Sequence, residues 1–488
     1  MSWEAVNQSR FWELEPMLSF PNPAADKQDK LKRAGIIRWA GHVEPMVHLG
    51  QRQGQGVVVP MGAAWSAQRT DCGGMVETRV GKQPGSGIPS PHPPACGGMV
   101  ETRVGKQPGS GIPSPHPPAY ERAVNDCEWL MDHQKAAVKA AGKWRSGVIV
   151  APCGAGKTQM GVALHRFAMT ERPTLVLVHT RDLATQWDQR VRRLLGMAPV
   201  SASGAAAFVK SATAAMINVK GMVITTVQTL AKVDPWDLAG MRFGTVILDE
   251  AHHAPASTFQ AVLGNIVCDT VYGLTATPNR DDGWTPAMYA WLGPKRYEVQ
   301  ARDLQRVGLT MAPTVCEVVT PFHSWSGDFT TIVNDLTDSG DRNALIARLV
   351  AEHGTFPQLV LTSRVEHAEA LAGLIPDAVA VVGRTRDRDA AFARVRAGEA
   401  KVLIATQLAD EGLDLPELVA VHLVAPCRAG NRVIQRIGRV MRASSGKARP
   451  VVYDYVDNMS LLQSQWRSRR KACLEQLPGV TFTRKVVT

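Results

Sequence analysis

From about residue 120 the chain alternates short β-branched apolar runs with amphipathic stretches. GVIVAP (147–152), TLVLVH (174–179), MVITT (222–226), TVILDE (245–250) and VYGLTAT (271–277) read as buried strands, and segments such as LATQWDQRVRRLL between them read as helices. Alternation of this kind predicts a doubly wound, parallel α/β sheet. The pattern breaks around 296–340. A second series then follows with QLVLTS, AVAVV, KVLIAT, VAVHLV and PVVYDYV, so the α/β expectation is two such sheets in tandem.

The remainder of the chain reads differently. Residues 1–71 hold Pro and Gly turns and apolar stretches such as AGIIRWA, enough for a small N-terminal accessory domain of unassigned role. CGGMVETRVGKQPGSGIPSPHPPA at 72–95 recurs letter for letter at 96–119, and its Gly, Pro and Ser content predicts a flexible linker rather than a solenoid. The expected division is thus 1–71 accessory, 72–119 linker, 120–296 first sheet domain, 297–340 connecting segment, 341–460 second sheet domain and 461–488 basic helix and tail. In that last segment Arg467, Arg469, Arg470 and Lys471 form a charge run, read first as a solvated helix face and second as a DNA contact.

A length of 488 residues suggests about three units. With 45% hydrophobic and 20% charged residues the composition is that of a globular protein, which excludes a disordered chain. The net charge of +11 favours polyanionic partners, with a merely basic surface as the plainer reading. No apolar run reaches the ~18 residues that span a bilayer, and the start MSWEAVNQSRFWELEP lacks a basic-then-apolar signal pattern, so the expectation is a cytoplasmic protein with no membrane partner. Cysteines 72, 96, 127, 153, 268, 316, 427 and 473 are scattered without a CxxC pair, as free thiols in a reducing compartment would be. Cys72, His92, Cys96 and His116 fit no known metal-finger spacing.

Two strings carry chemistry. APCGAGKT (151–158) lies where a strand turns into a helix, as a phosphate cradle requires. Gly154, Ala155 and Gly156 would present backbone N–H groups to phosphate, Lys157 would reach the β and γ phosphates, and the Thr158 hydroxyl would bind Mg²⁺. VILDEAHH ends an apolar strand in Asp249 and Glu250. Asp249 suits a Mg²⁺ ligand on ATP and Glu250 the residue that polarises water; the plainer reading is a solvated strand end.

Residues 249–252 spell DEAH, and with the strings that follow in order the chain resembles the DEAD/DEAH-box helicases of superfamily 2 over roughly 120–460. The resemblance implies two RecA-like domains and an ATP-dependent motor using Mg²⁺. Gln134 in LMDHQKAAV is similar to the glutamine that reads adenine. VHTRDLATQW resembles motif Ia, with Thr180, Arg181, Gln186 and Trp187, and ITTVQTL resembles motif Ib, with Thr225, Thr226 and Gln228; both would touch the sugar-phosphate track. GLTATPNRDDG resembles motif III, in which Thr275 and Thr277, with His252, would couple the acids to the second domain. Its Arg280, Asp281 and Asp282 are similar to the Arg-Glu-Asp triplet of XPB-like repair helicases, in a branch shared with type III restriction res subunits.

LTSRVEHAEAL, with Ser363 and Arg364, is similar to motif IV. VLIATQLADEGLDLP resembles motif V, with Thr406 on nucleic-acid phosphate and Glu411, Gly412 and Asp414 by the nucleotide. VIQRIGRVMRA resembles motif VI, where Gln435 would meet ATP and Arg439 and Arg442 would act as arginine fingers. The implied partner is DNA, single-stranded or duplex, with RNA as an alternative track and with protein partners in a phage or bacterial DNA-processing complex. Three activities fit the motifs: a DNA helicase, a duplex translocase of a restriction or remodelling complex, and a nucleotide-gated DNA clamp with little turnover.

Overall fold

The computed structural model describes residues 118–168, 170–202, 204–217, 221–278, 283–385, 387–406, 415, 417–427, 430–444 and 446–487, together with the backbone of strands at 3–7, 19–21, 46–48, 51–53, 56–60, 74–80 and 100–106. It divides into two compact units whose principal boundary falls between Val299 and Gln300.

In the first unit β1 (Ser146–Val150), β2 (Thr174–Val178), β3 (Val200–Ala202), β4 (Met222–Thr226), β5 (Arg242–Asp249), β6 (Val267–Thr275) and β7 (Lys295–Glu298) form one sheet. Their spatial order is β3-β4-β2-β5-β6-β1-β7, and every pairing is parallel. β1 and β2 are buried at all positions and β5 at all but its first. A parallel strand covered on both faces must be apolar at successive positions, which is why TLVLV shows no polar alternation. Leu175, Leu177, Phe208, Val223, Phe243 and Val246 belong to one apolar core packed on this sheet.

The helices that matter for the site are α1 (Asp132–Gly142), α2 (Lys157–Arg166) and α3 (Arg181–Leu195). Thr180 starts α3 by accepting the Leu183 N–H on Oγ1 at 3.3 Å, and Gly196 ends it at φ 65°, the left-handed conformation that suits glycine.

The second unit repeats the plan. β8 (Thr314–Thr320), β9 (Gln358–Thr362), β10 (Ala378–Val381), β11 (Val402–Thr406), β12 (Ala420–Leu423), β13 (Val451–Asp457) and β14 (Thr481–Val486) lie in the order β10-β11-β9-β12-β13-β8-β14, again parallel. β8 arises inside the stretch expected to connect the domains, because TVCEVVT is itself a β-branched run. β14 arises beyond the expected end of the second domain. The helices used below are α4 (Gly340–His353), α5 (Gly430–Val440) and α6 (Ser460–Gln476).

α6 corrects the reading of the basic C-terminal segment as a solvated face. Arg469 is buried and donates from Nη2 to Asp454 Oδ1 at 2.7 Å, and Arg470 Nε donates to Glu317 Oε1 at 2.9 Å. Only Arg467 and Lys471 of the run stay exposed. Arg342 performs the same task for α4, with Nε on Asp457 Oδ1 at 2.8 Å and Nη2 on the Val424 carbonyl at 2.8 Å.

Ahead of residue 118 the described strands pair antiparallel. Each copy of the repeat supplies one strand, Gly74–Val80 and Val100–Lys106, in a register that sets Glu77 opposite Arg103, Thr78 opposite Thr102 and Arg79 opposite Glu101. The expected linker therefore contains a strand pair, formed by the same segment of each repeat. Cys72, His92, Cys96 and His116 lie outside the described residues. Among the described residues there is no metal-ligating cluster, no disulfide joins the cysteines and no helix is long and apolar enough to cross a membrane.

Candidate nucleotide and nucleic-acid site

The loop after β1 begins with Ala151, whose N–H donates to the Thr275 carbonyl at 2.9 Å and so fastens the loop to the end of β6. It turns through Gly154 at φ 85° and Gly156 at φ 80°, both in the left-handed region that a side chain disfavours. At Gly156 space adds a second constraint, because a Cβ would lie 2.2 Å from Gln134 Nε2. Ala155 between them is buried, and Lys157 and Thr158 open α2. Lys157 Nζ stands 3.5 Å from the Ala151 carbonyl and 3.9 Å from Glu250 Oε1. Gln134, in the first turn of α1, is buried beside this loop, accepting the Met131 N–H at 3.0 Å and donating to Gln159 Oε1 at 3.2 Å.

Asp249 ends β5 and is buried. Its Oδ1 accepts the Glu250 N–H at 2.9 Å, and its Oδ2 accepts Trp187 Nε1–H at 2.8 Å. Burial, with Glu250 next to it, raises the Asp249 pKa. Glu250 behaves oppositely: burial pushes it up, but Lys157, then His252 and His179, outweigh that and hold it well below the usual carboxylate range. One acid is thus ionised through Lys157, while the other is a buried oxygen donor short of positive charge. Glu250 has φ 49°, a left-handed conformation uncommon outside glycine. His252 Nδ1 lies 3.4 Å from Glu250 Oε2 and 3.2 Å from Thr275 Oγ1. Thr275 in turn joins Thr277, donating to its carbonyl and accepting its N–H, each at 3.2 Å. His252, Thr275 and Thr277 are therefore contiguous with Glu250.

A cavity of about 260 Å³ in the same unit is lined by His179, Arg181, Gly204, Ala205, Thr226, Gln228, Thr229 and Lys232. It gathers Arg181, Thr226 and Gln228 from the expected phosphate contacts. Thr180 sits beside it as the α3 cap, and Gln186 is half-buried on that helix. Two expected contacts are corrected. Thr225 is buried and donates its hydroxyl to the Ala202 carbonyl at 2.9 Å, while Trp187 is wholly buried and serves Asp249. A Cβ on Gly161 would come within 2.3 Å of Trp187 Cη2, which explains a glycine in α2 at that point. Sequence reasoning missed His179, Thr229 and Lys232, although the first two adjoin Thr180 and Gln228, which it had singled out.

In the second unit Gln435 and Arg439 are half-buried on α5 and Arg436 is buried. Arg442 follows the helix and is pinned on both sides, by Met311 N–H on the Met441 carbonyl at 2.7 Å and Ala443 N–H on the Leu309 carbonyl at 3.1 Å. Lys447, also unforeseen, donates to the carbonyls of Val440 and Arg442 at 2.8 Å each. Thr406 closes β11, buried. Gly412 and Asp414, with Glu411 and the triplet Arg280, Asp281 and Asp282, lie outside the described residues.

Two tandem RecA-like sheets carry these groups, with Lys157 and an Asp–Glu pair on the first and an arginine-bearing helix on the second. Residues 128–280 match the family of type III restriction enzyme res subunits, and residues 339–444 match the helicase conserved C-terminal domain. The chain is 29% identical over 361 residues to the DNA 3'-5' helicase XPB of Kineococcus radiotolerans, covering 71% of this chain and 63% of that one. It is 27% identical over 364 residues to the DNA 3'-5' translocase XPB2 of Sulfurisphaera tokodaii, covering 65% and 80% respectively. The DNA-bound type ISP restriction-modification enzyme LlaBIII has the same fold over 73% of this chain and 31% of its own, at a TM-score of 0.55 and 14% identity. The chain thus carries matches to two helicase domain families and is similar along most of its described length to the XPB proteins. It spans less than two thirds of the length of the Kineococcus helicase.

Proposed function

We propose that this protein is an ATP-driven DNA motor that couples hydrolysis to movement along, or unwinding of, DNA. The observation that carries the reading is the grouping within one unit of Lys157, Asp249 and Glu250 at the ends of β1 and β5, with a polar and basic cavity beside the neighbouring ends of β2 and β4. The loop suits a triphosphate: Gly154 and Gly156 take the left-handed turns that let backbone N–H groups approach phosphate, and Lys157 offers the counter-charge. Asp249 and Thr158 are the residues to hold Mg²⁺, which would neutralise phosphate charge. Glu250, held ionised by Lys157, orients water and takes up its proton as the water oxygen bonds the γ-phosphorus and the bond to the β–γ bridging oxygen breaks, releasing ADP and phosphate. Gln134 is assigned to adenine. Gln435, Arg439 and Arg442, with Gly412 and Asp414, are assigned to the nucleotide from the second unit.

Arg181, Thr226 and Gln228, joined by Lys232, supply cationic, hydroxyl and amide contacts to a phosphate backbone without reading bases. Thr180, Gln186 and Thr406 are assigned to the same track. A second reading, translocation on duplex DNA without strand separation, is favoured by the name of the Sulfurisphaera relative.

Turnover of ATP by the purified chain, measured alone and with single-stranded DNA, duplex DNA or RNA, tests the proposal. DNA-stimulated turnover that is lost in Lys157→Ala and Glu250→Gln is the expected result. ATP-dependent DNA binding without turnover on any polymer would replace the motor by a clamp. Strand displacement, assayed beside triplex displacement, separates unwinding from translocation.

A further inference from the structure

His179 lines the cavity at the end of β2, 73 residues ahead of the DEAH histidine in sequence, yet a continuous row of rings joins the two. The centroid of His179 is 4.6 Å from that of His253, and His253 is 4.2 Å from His252. His252 in turn reaches Glu250 Oε2 at 3.4 Å and Thr275 Oγ1 at 3.2 Å. Phe259 stacks on His253, ring planes 16° apart at 6.1 Å, and backs the middle of the row. At the cavity end Gln228 Nε2 donates to the His179 carbonyl at 3.1 Å, so a residue aimed at the polymer also holds the backbone that carries the first ring. The cavity and the water-activating acid are thereby in physical contact through three imidazoles, all inside the first unit.

We infer that the His179–His253–His252 row transmits occupancy of the cavity to Glu250, with His253 as a positioning residue whose ring links nucleic acid to hydrolysis. This rests on the motor reading above. The Glu250 carboxylate stands between Lys157 Nζ at 3.9 Å and His252 Nδ1 at 3.4 Å, so a shift of the His252 ring alters one of the two groups that face it. His252 is held by Thr275 on one side and by His253 on the other. A polyanion that draws Arg181, Gln228 and His179 toward it shifts the first ring, and rings in contact at 4.6 and 4.2 Å pass a displacement on. His179 is also among the charges that hold Glu250 ionised, which places the two ends in electrostatic as well as steric contact.

The test compares wild type, His253→Ala and His253→Phe as full chains, with ATP turnover measured without DNA and at saturating duplex DNA, alongside the ATP KM and DNA affinity. His253→Ala removes the ring, and His253→Phe keeps its shape. The expected result is a ratio of stimulated to basal turnover at least tenfold lower in His253→Ala, with the ATP KM and DNA affinity changed by less than about threefold, and recovery of at least half the ratio in His253→Phe. A wild-type ratio in His253→Ala would overturn the inference, as would equal impairment in both variants. If His253→Ala does not fold, judged by its thermal transition, His179→Phe against His179→Leu reads the row from its other end, and equal stimulation in those two overturns it. A wild type that DNA fails to stimulate would sink the motor reading itself, a result the variants cannot imitate.

Discussion

Trp187→Phe removes a single N–H from the nucleotide site while leaving an aromatic ring in the same slot. Trp187 Nε1 donates to Asp249 Oδ2 at 2.8 Å, both residues are buried, and the other Asp249 oxygen has the Glu250 N–H at 2.9 Å. A hydrogen bond to a charged group contributes about 1.5–3 kcal/mol. Asp249 is already pushed toward its neutral form by burial and by Glu250, with Trp187 among the groups that oppose this. Losing the donor weakens the carboxylate as a metal ligand and frees its orientation. Expressed fully in the transition state, the loss is about tenfold to a hundredfold in turnover at 1.36 kcal/mol per decade. The assay is steady-state ATP hydrolysis with saturating duplex DNA across a Mg²⁺ titration, with thermal unfolding as the control. The expectation is a lower maximum rate and a Mg²⁺ midpoint moved upward, in a protein that still melts cooperatively. A folded Trp187→Phe with wild-type rate and Mg²⁺ midpoint would reduce Trp187 to a packing residue and refute the reasoning.

The basic C-terminal helix offers a test in which stability and DNA affinity separate. Arg469→Ala leaves Asp454 buried without its ion-pair partner and should lower stability by about 3–5 kcal/mol in denaturant unfolding, whereas exposed Arg467→Ala should leave the transition in place. Acid should weaken the second unit through His367 and His422. Burial, aided by Arg342 and His353 respectively, lowers both pKa values to about 3, and each ring bridges two buried polar partners. The unfolded imidazoles titrate near ~6.5, so below that pH the unfolded chain binds more protons. Their stabilisation, complete above ~6.5, is lost as pH falls toward about 3, at roughly 2 kcal/mol for each histidine by pH 5. Denaturant midpoints at pH 7.5 and 5, compared with those of His422→Gln, check this. A midpoint that does not move with pH would contradict it.

The central strands of both sheets were legible because their burial on two faces leaves an unbroken apolar run, as in GVIV or TLVLV. The edges were not. β14 reads TFTRKV and is mostly exposed, so its sequence carries no core signature, and it joins the sheet by parallel backbone pairing with β8 and a few side-chain contacts such as Phe482 under Arg470. Local geometry also decides between neighbours that a motif treats alike. Thr225 and Thr226 are successive residues at a strand end and point to opposite faces, so one bonds the Ala202 carbonyl while the other lines the cavity. Gln186 and Trp187 lie about 100° apart around α3, and a helix packed on a sheet must bury one of them. The same rotation turns Arg469 inward while Arg467 and Lys471 remain in water.

The candidate site was readable because its members stand at strand ends, where sequence order and spatial position coincide: Lys157 follows β1, Asp249 ends β5 and Thr275 ends β6. What joins them was not readable. Asp249 meets a tryptophan 62 residues earlier, and Glu250 reaches His179 only through two intervening rings, contacts that exist because parallel strands bring distant ends side by side. β2 stands next to both β4 and β5 in the sheet, so the residue that leaves its end adjoins the cavity on one flank and the DEAH turn on the other. A motor needs polymer contact and water activation to be linked, and under the proposed assignment the strand order brings the two candidate sites to either side of β2.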